Sequence, residues 1–377
     1  MKTILVGPAF PLRGGIADFN EALCKALNEQ NISSSIYSFY YQYPGILFPG
    51  KSQKSGGEGP KDLTIHSTIS SVNPLSWFST ARKIKKEKPD LVIIRFWLPF
   101  MAPALGTIAR LIKKNSTIKI IAIMDNVIPH EKRIGDRAFT NYFVSQCDGF
   151  VAMAKSVLED LKTFTKNTHT LFTPHPVYNI FGDKISKQEA RKNLGLHEND
   201  RYILFFGFIR AYKGLDLLIK AMADDRIRKM NIRLVVAGEF YEDESRYTSM
   251  IKEHSLTDAV IFHKDFIPKE QVKNYFCAAD LVVQPYHSAT QSGITQIAYH
   301  FERPMIVTNV GGLAEIVPHN KAGYVVETNP ASIANAIVNF YEQNKEQEFS
   351  ANAALEKGKF SWSAFVNGLI NLYNGLK

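Results

Sequence analysis

An alternation that runs through the chain twice sets the strongest limit on its fold. Short runs rich in Ile, Val and Leu recur with helical patterns between them. In the first half, Thr3–Val6, Leu91–Ile94, Ile118–Ile123 and Gly149–Ala152 read as buried strands, with helices over Ala17–Leu27, Leu75–Lys88 and Met101–Lys114. In the second half the strands are Tyr202–Phe206, Arg233–Ala237, Ala259–Phe262, Leu281–Gln284, Met305–Thr308 and Gly323–Val326. Helical spacing there covers Gly214–Met222, Tyr247–His254, Lys269–Ala278, Ile294–His300, Gly312–Ile316 and Pro330–Tyr341. Such alternation predicts parallel sheets with helices on both faces. At 377 residues the chain exceeds what one core usually serves, so two doubly wound α/β domains are expected.

The break falls at Thr173–Gly182, where two prolines and a glycine interrupt the pattern, and a polar helix follows over Lys184–Asn193. The domains are therefore placed at 1–180 and 181–360. A tail helix over Ser361–Leu376 offers Phe365, Leu369, Ile370 and Leu372 for packing. Doubly wound sheets bind ligands outside the carboxyl ends of their strands, so one cleft is expected between the two halves.

Charge is unevenly placed. Up to Ile180 there are 22 Lys and Arg against 13 Asp and Glu, a net of +9; the remainder carries 23 of each. An anionic partner should therefore meet the first half. No apolar stretch is long enough to span a bilayer, and the run Thr3–Gly7 is too short for a signal peptide. Three distant cysteines, Cys24, Cys147 and Cys277, speak against a disulfide framework or a zinc site and for a reducing cytoplasm.

Three strand-to-helix loops carry the candidate chemistry. After the first strand, Gly14, Gly15 and Ile16 open a helix; paired glycines there make either an anion-binding loop or a plain turn. The loop lacks the Gly-x-Gly-x-x-Gly and Walker patterns, which removes support for dinucleotide enzymes and P-loop ATPases. In Leu204–Gly214, Gly207 is followed by Arg210 and Lys213, two cations suited to a diphosphate. In Pro285–Gln296, Ser292, Gly293, Ile294, Thr295 and Gln296 would expose backbone N–H groups at a helix start, a second anion seat.

The order of these motifs, together with Ala237-Gly238-Glu239, Ala278–Pro285 and Val310–Val317, resembles the family 4 glycosyltransferases. That resemblance covers nearly the whole chain and is most specific between Phe205 and Val317. It implies a GT-B fold of two Rossmann-like domains facing across a cleft. The N-terminal domain would bind the acceptor, the C-terminal domain the nucleotide sugar, and the tail 361–377 would cross back onto the first domain near Trp362. It implies transfer of a sugar with retention, without a metal or any cofactor beyond a UDP- or GDP-linked donor as co-substrate. Lys213 matches the family lysine that stabilises the leaving diphosphate, and Ser292, Gly293, Ile294 and Thr295 match the segment holding donor oxygens. Gln296, Gly207 and Glu239 complete the implied donor site, and His130 occupies the loop where the family places a histidine near the reacting sugar.

The chain also departs from the family. Phe208 stands where an arginine usually follows the loop glycine, and Arg210 is taken as its substitute. Ala289 and Ile297 fall where the family carries two glutamates, with Gln291 and Gln296 nearby. A retaining transferase can work without such a base, because the departing diphosphate can take the acceptor's proton while fixed donors absorb its charge. Two alternatives stay open, a nucleotide-sugar-binding protein without transferase activity and a GT-B nucleotide-sugar epimerase. Nucleic-acid binding finds no motif. The expected partners are the donor and a saccharide or lipid-linked saccharide used in cell-surface glycan synthesis, at the cytoplasmic face of the inner membrane. Two segments raise membrane contact: the aromatic run Tyr37–Phe48 with Lys51 and Lys54, and the helix that sets Trp77, Ala81 and Ile84 against Arg82, Lys83 and Lys86.

Overall fold

The structure, a computed structural model, describes residues 1–45, 52–56, 58–129, 133–178, 180–289 and 292–376. They divide into two compact units, Met1–Pro174 with Trp362–Lys377, and His175–Ser361.

In the first unit the strands are β1 (Lys2–Val6), β2 (Ser33–Tyr41), β3 (Ile65–Ser70), β4 (Leu91–Phe96), β5 (Lys119–Met124), β6 (Gly149–Ala152) and β7 (Thr170–Phe172). They form one parallel sheet in the order β3-β2-β1-β4-β5-β6-β7. Helices α1 (Gly15–Glu29), α2 (Pro74–Lys86), α3 (Ala102–Lys113), α4 (Asp136–Val144) and α5 (Lys155–Lys162) connect them. The central strand β4 is buried at every position, as a strand covered on both faces must be.

The second unit repeats the plan with β8 (Arg201–Phe206), β9 (Ile232–Ala237), β10 (Val260–His263), β11 (Leu281–Gln284), β12 (Met305–Thr308) and β13 (Gly323–Val326). Its parallel sheet runs β10-β9-β8-β11-β12-β13. The helices are α6 (Lys187–Asn193), α7 (Leu215–Met222), α8 (Asp225–Lys229), α9 (Ser245–Glu253), α10 (Lys269–Ala278), α11 (Gly293–His300), α12 (Leu313–Ile316), α13 (Pro330–Glu342) and α14 (Glu346–Lys357). The final helix α15 (Trp362–Asn374) belongs to the first unit, where Phe19 meets Trp362 and Phe365 at ring-centroid distances of 5.0 and 5.5 Å.

Strand order reverses between β1 and β4 in the first sheet and between β8 and β11 in the second. Loops leaving the carboxyl ends of those strands border the crevice where doubly wound sheets take ligands. In the second unit these are 207–214 and, among the described residues, 285–289 with Ser292, from the two loops that the sequence marks for anion binding.

Two expectations change in detail. Residues 175–180 group with the second unit rather than the first, because Val177 N–H donates to the Phe360 carbonyl (2.8 Å) and Tyr178 lies against Gly293. The face of α2 carrying Ala81 and Ile84 is buried, and Trp77 packs against the same core while its Nε1 donates to the Ser70 carbonyl. That face is not available to lipid. Tyr37 and Phe39 are buried within β2, whereas Tyr40 and Tyr41 are exposed; residues 46–51 of the aromatic run lie outside the described residues.

Candidate functional site

The site is built where β8 hands over to its loop. Gly207 donates to the Ala237 carbonyl (2.9 Å). The chain then stays zipped to the neighbouring loop, with Ile209 N–H on the Glu239 carbonyl (2.9 Å) and Tyr241 N–H on the Ile209 carbonyl (3.0 Å). Arg210 therefore leaves the sheet at a fixed point. Its guanidinium carbon stands 5.0 Å from the ring centroid of Tyr241, whose other neighbour, Phe208, is 4.4 Å away. Phe266 extends the column at 6.3 Å from Phe208. Phe208 thus has a place of its own, in the aromatic column that supports Arg210.

A single 3-10 turn, Ala211–Lys213, then swings Lys213 back toward Gly207. Lys213 is buried, and a Cβ on Gly207 would lie 2.9 Å from its Nζ and 3.3 Å from Ile294 Cδ1. That near-contact brings the cation and the start of α11 to one spot. Among the described residues no carboxylate pairs with Lys213; its ammonium stands 5.7 Å from the Tyr286 ring centroid. Burial, and secondly the charge of Arg210, pull its pKa from 10.5 down to about 7. A lysine so placed lacks a counter-ion, and an incoming anion would supply one.

The opposite wall is the loop after β11. Gly214, at φ 70°, lets the two loops touch, since a Cβ there would fall 1.9 Å from the Pro285 carbonyl oxygen. His287 N–H donates to the Tyr212 carbonyl (2.7 Å), and His287 Nε2 lies 3.0 Å from an Asp216 carboxylate oxygen. Thr308 Oγ1 donates to the Tyr286 carbonyl (2.6 Å), and burial raises the Tyr286 phenol pKa, keeping it protonated. Ser292 caps α11 by accepting from Ile294 N–H (3.2 Å). Gly293 begins the helix under the Tyr178 ring, which a Cβ would approach to 3.3 Å.

The structure thus brings together Gly207, Lys213 and Ile294, and places Ser292 and Gly293 at the same helix start. Thr295 and Gln296 are fully buried. Thr295 Oγ1 donates to Gln284 Oε1 (3.1 Å), while Gln284 Nε2 and both amide atoms of Gln296 have no partner among the described residues. Glu239 is buried, with its carbonyl committed to Ile209. Ile297 is buried on the inner face of α11, where an ionised glutamate would be desolvated, and Ala289 is half-buried. His130 and Gln291 lie outside the described residues.

In the first unit Gly14, at φ 113°, precedes α1, and the Gly14 carbonyl accepts from Asp18 N–H (3.1 Å); Gly15 and Ile16 form its first turn. Sequence reasoning missed Arg95 there. It lies buried in β4, forks onto Asp125 just past β5 with Nε 2.6 Å from Oδ2, and sits 4.0 Å over the Phe19 ring. A lone arginine near the end of an otherwise apolar strand, with an aspartate just past the next strand, was the available signal. His175 is buried, with Nδ1 2.7 Å from the Pro176 carbonyl oxygen and Nε2 3.1 Å from the Tyr178 hydroxyl.

Comparison with known proteins bears on this geometry. Residues 186–356 match the family model of glycosyl transferases, group 1. That match falls within the second unit. An uncharacterised glycosyltransferase of Methanocaldococcus jannaschii is 23% identical over 100% of this chain and 99% of its own length. With several other curated relatives the match spans about half of each chain. Among solved structures, sucrose-phosphate synthase from Thermosynechococcus elongatus superposes with a TM-score of 0.76 at 16% identity, covering 100% of this chain and 99% of that one. Anabaena HepE, solved with UDP-glucose, gives 0.72 at 16% identity over 99% of both chains. The fold is GT-B, and the family match supports glycosyl transfer.

Proposed function

We propose that the chain is a retaining, metal-independent hexosyltransferase that uses a UDP- or GDP-linked sugar. The observation that carries this reading is the buried, uncompensated ammonium of Lys213 beside the N-terminus of α11. A nucleotide diphosphate supplies the missing negative charge, and HepE's complex with UDP-glucose supports a donor of that class. As the glycosidic bond breaks, charge grows on the diphosphate oxygens. Lys213, Arg210 and the first amides of α11 meet that charge already in place, so little reorganisation is needed. The departing oxygen accepts the acceptor's proton on the same face, which gives retention and needs no carboxylate at positions 289 or 297. The first unit, which bears the whole surplus of positive charge, receives a saccharide or lipid-linked saccharide for cell-surface glycan synthesis at the inner membrane face.

Thermal unfolding with a panel of UDP- and GDP-sugars tests the donor half of this reading, since a ligand bound only by the folded state raises the melting temperature. One donor class should raise it. No shift with any member would contradict the reading. A shift with no turnover on any saccharide acceptor would favour the binding protein without transferase activity.

A further inference from the structure

Helix α2 carries apolar side chains on its outer face as well as its inner one. It buries Ser76, Thr80, Ala81 and Ile84 toward the sheet and leaves Leu75 and Phe78 outside, 77% and 54% exposed. Val72, just before the helix, is 52% exposed, and Tyr40 and Tyr41 stand exposed at the end of the adjoining strand β2. Exposed apolar side chains gathered in this way on one corner call for a partner.

The same helix specifies the partner's charge. Leu75, Phe78, Arg82 and Lys86 follow one another at spacings of three and four, so one outward stripe passes from apolar to cationic. Between α2 and α3 lies a cleft of about 640 Å³ lined by Phe78, Thr107, Arg110, Leu111, Lys113 and Lys114. Lys85 Nζ fastens the two helices by donating to the Lys114 carbonyl (2.5 Å). Lys113 pairs with Asp148 at 2.7 Å. Arg82, Lys83, Lys86, Arg110 and Lys114 have no acidic partner among the described residues.

We infer that this face of α2 and α3 docks on an anionic lipid bilayer. Val72, Leu75 and Phe78 enter the headgroup boundary while Arg82, Lys83, Lys86, Arg110 and Lys114 meet lipid phosphates. Apolar residues beside a row of cations suit a surface that is oily beneath and negative above. The inference stands apart from the donor site and holds whether or not the chain transfers a sugar.

Co-sedimentation of the full chain with phosphatidylcholine vesicles, with and without phosphatidylglycerol, tests it. Binding is expected only with phosphatidylglycerol, at low salt, and should fall as salt shortens the range of the charges. Arg82→Gln with Lys86→Gln should weaken partitioning by roughly 25-fold, about fivefold per charge. Leu75→Ser with Phe78→Ser should weaken it by at least about tenfold. All four side chains are exposed, so the melting temperature and its shift with a donor should stay as in the wild type. No binding at low salt, equal binding to neutral vesicles, or binding unchanged in both variants would overturn the inference. So would a dimer in solution that the Leu75→Ser and Phe78→Ser changes dissolve while vesicles remain unbound.

Discussion

The ammonium of Lys213 rests against Gly207, so closely that a Cβ on that glycine would stand 2.9 Å from Nζ. The lysine is thereby held under the loop rather than in solvent, and burial with the Arg210 charge sets its pKa at about 7. In the unfolded chain it titrates near 10.5. Between those values the unfolded state binds the extra proton, so stability of the ligand-free protein should rise as pH climbs from 7 to 10.5. Lys213→Met should flatten that rise and raise the melting temperature at pH 7. A diphosphate favours the ammonium, so donor binding above pH 7 should take up a proton and weaken by at most about tenfold per pH unit. Calorimetry at pH 8 in two buffers of different ionisation enthalpy reads the uptake; its absence would contradict the pairing.

Arg210 depends on Tyr241 for its direction. Removing the ring in Tyr241→Ala should lower kcat about two- to fivefold, the effect of losing one exposed cation–π contact. Tyr241→Phe keeps the ring face and should retain the wild-type rate. Equal loss in both variants would show that the hydroxyl, not the stack, matters.

The two loops of the site touch through Gly214. Gly214→Ala places a methyl group on the Pro285 carbonyl at a backbone angle that suits glycine, so it should cost more than about 2 kcal/mol in urea unfolding. Donor-induced stabilisation should fall with it. An unchanged unfolding midpoint would mean that the loops do not meet as described.

Much of this was legible in the sequence, for identifiable reasons. Leu281–Gln284, Met305–Thr308 and Gly323–Val326 are mostly apolar, and the strands keep those bounds. Strand β2 begins Ser-Ser-Ser and β3 reads Ile-His-Ser-Thr-Ile-Ser, so neither shows an apolar run; both lie toward one edge of the sheet, where burial is partial. Helix α14 buries only Phe349 and Ala353, too few to impose a period. Arg210 and Lys213 were visible as the two cations of a loop that follows a strand end, and Ser292 as a polar residue just before a glycine that opens a helix. The column of Phe208, Tyr241 and Phe266 was not visible, because its members come from three separate loops and meet only when the sheet forms.

Arg95 and Asp125 form a buried pair in the first unit. Asp125→Ala strands the guanidinium and should cost about 3–5 kcal/mol. Replacing both, as Arg95→Met with Asp125→Leu, should recover much of that loss, as read by a double-mutant cycle in urea. Additive losses would contradict their coupling.

The central claim is that Lys213 stabilises the departing diphosphate, and turnover of Lys213→Ala with the best donor tests it most directly. The variant should unfold cooperatively and keep its circular dichroism while kcat falls by about 10²–10³. Turnover at the wild-type rate would contradict the account.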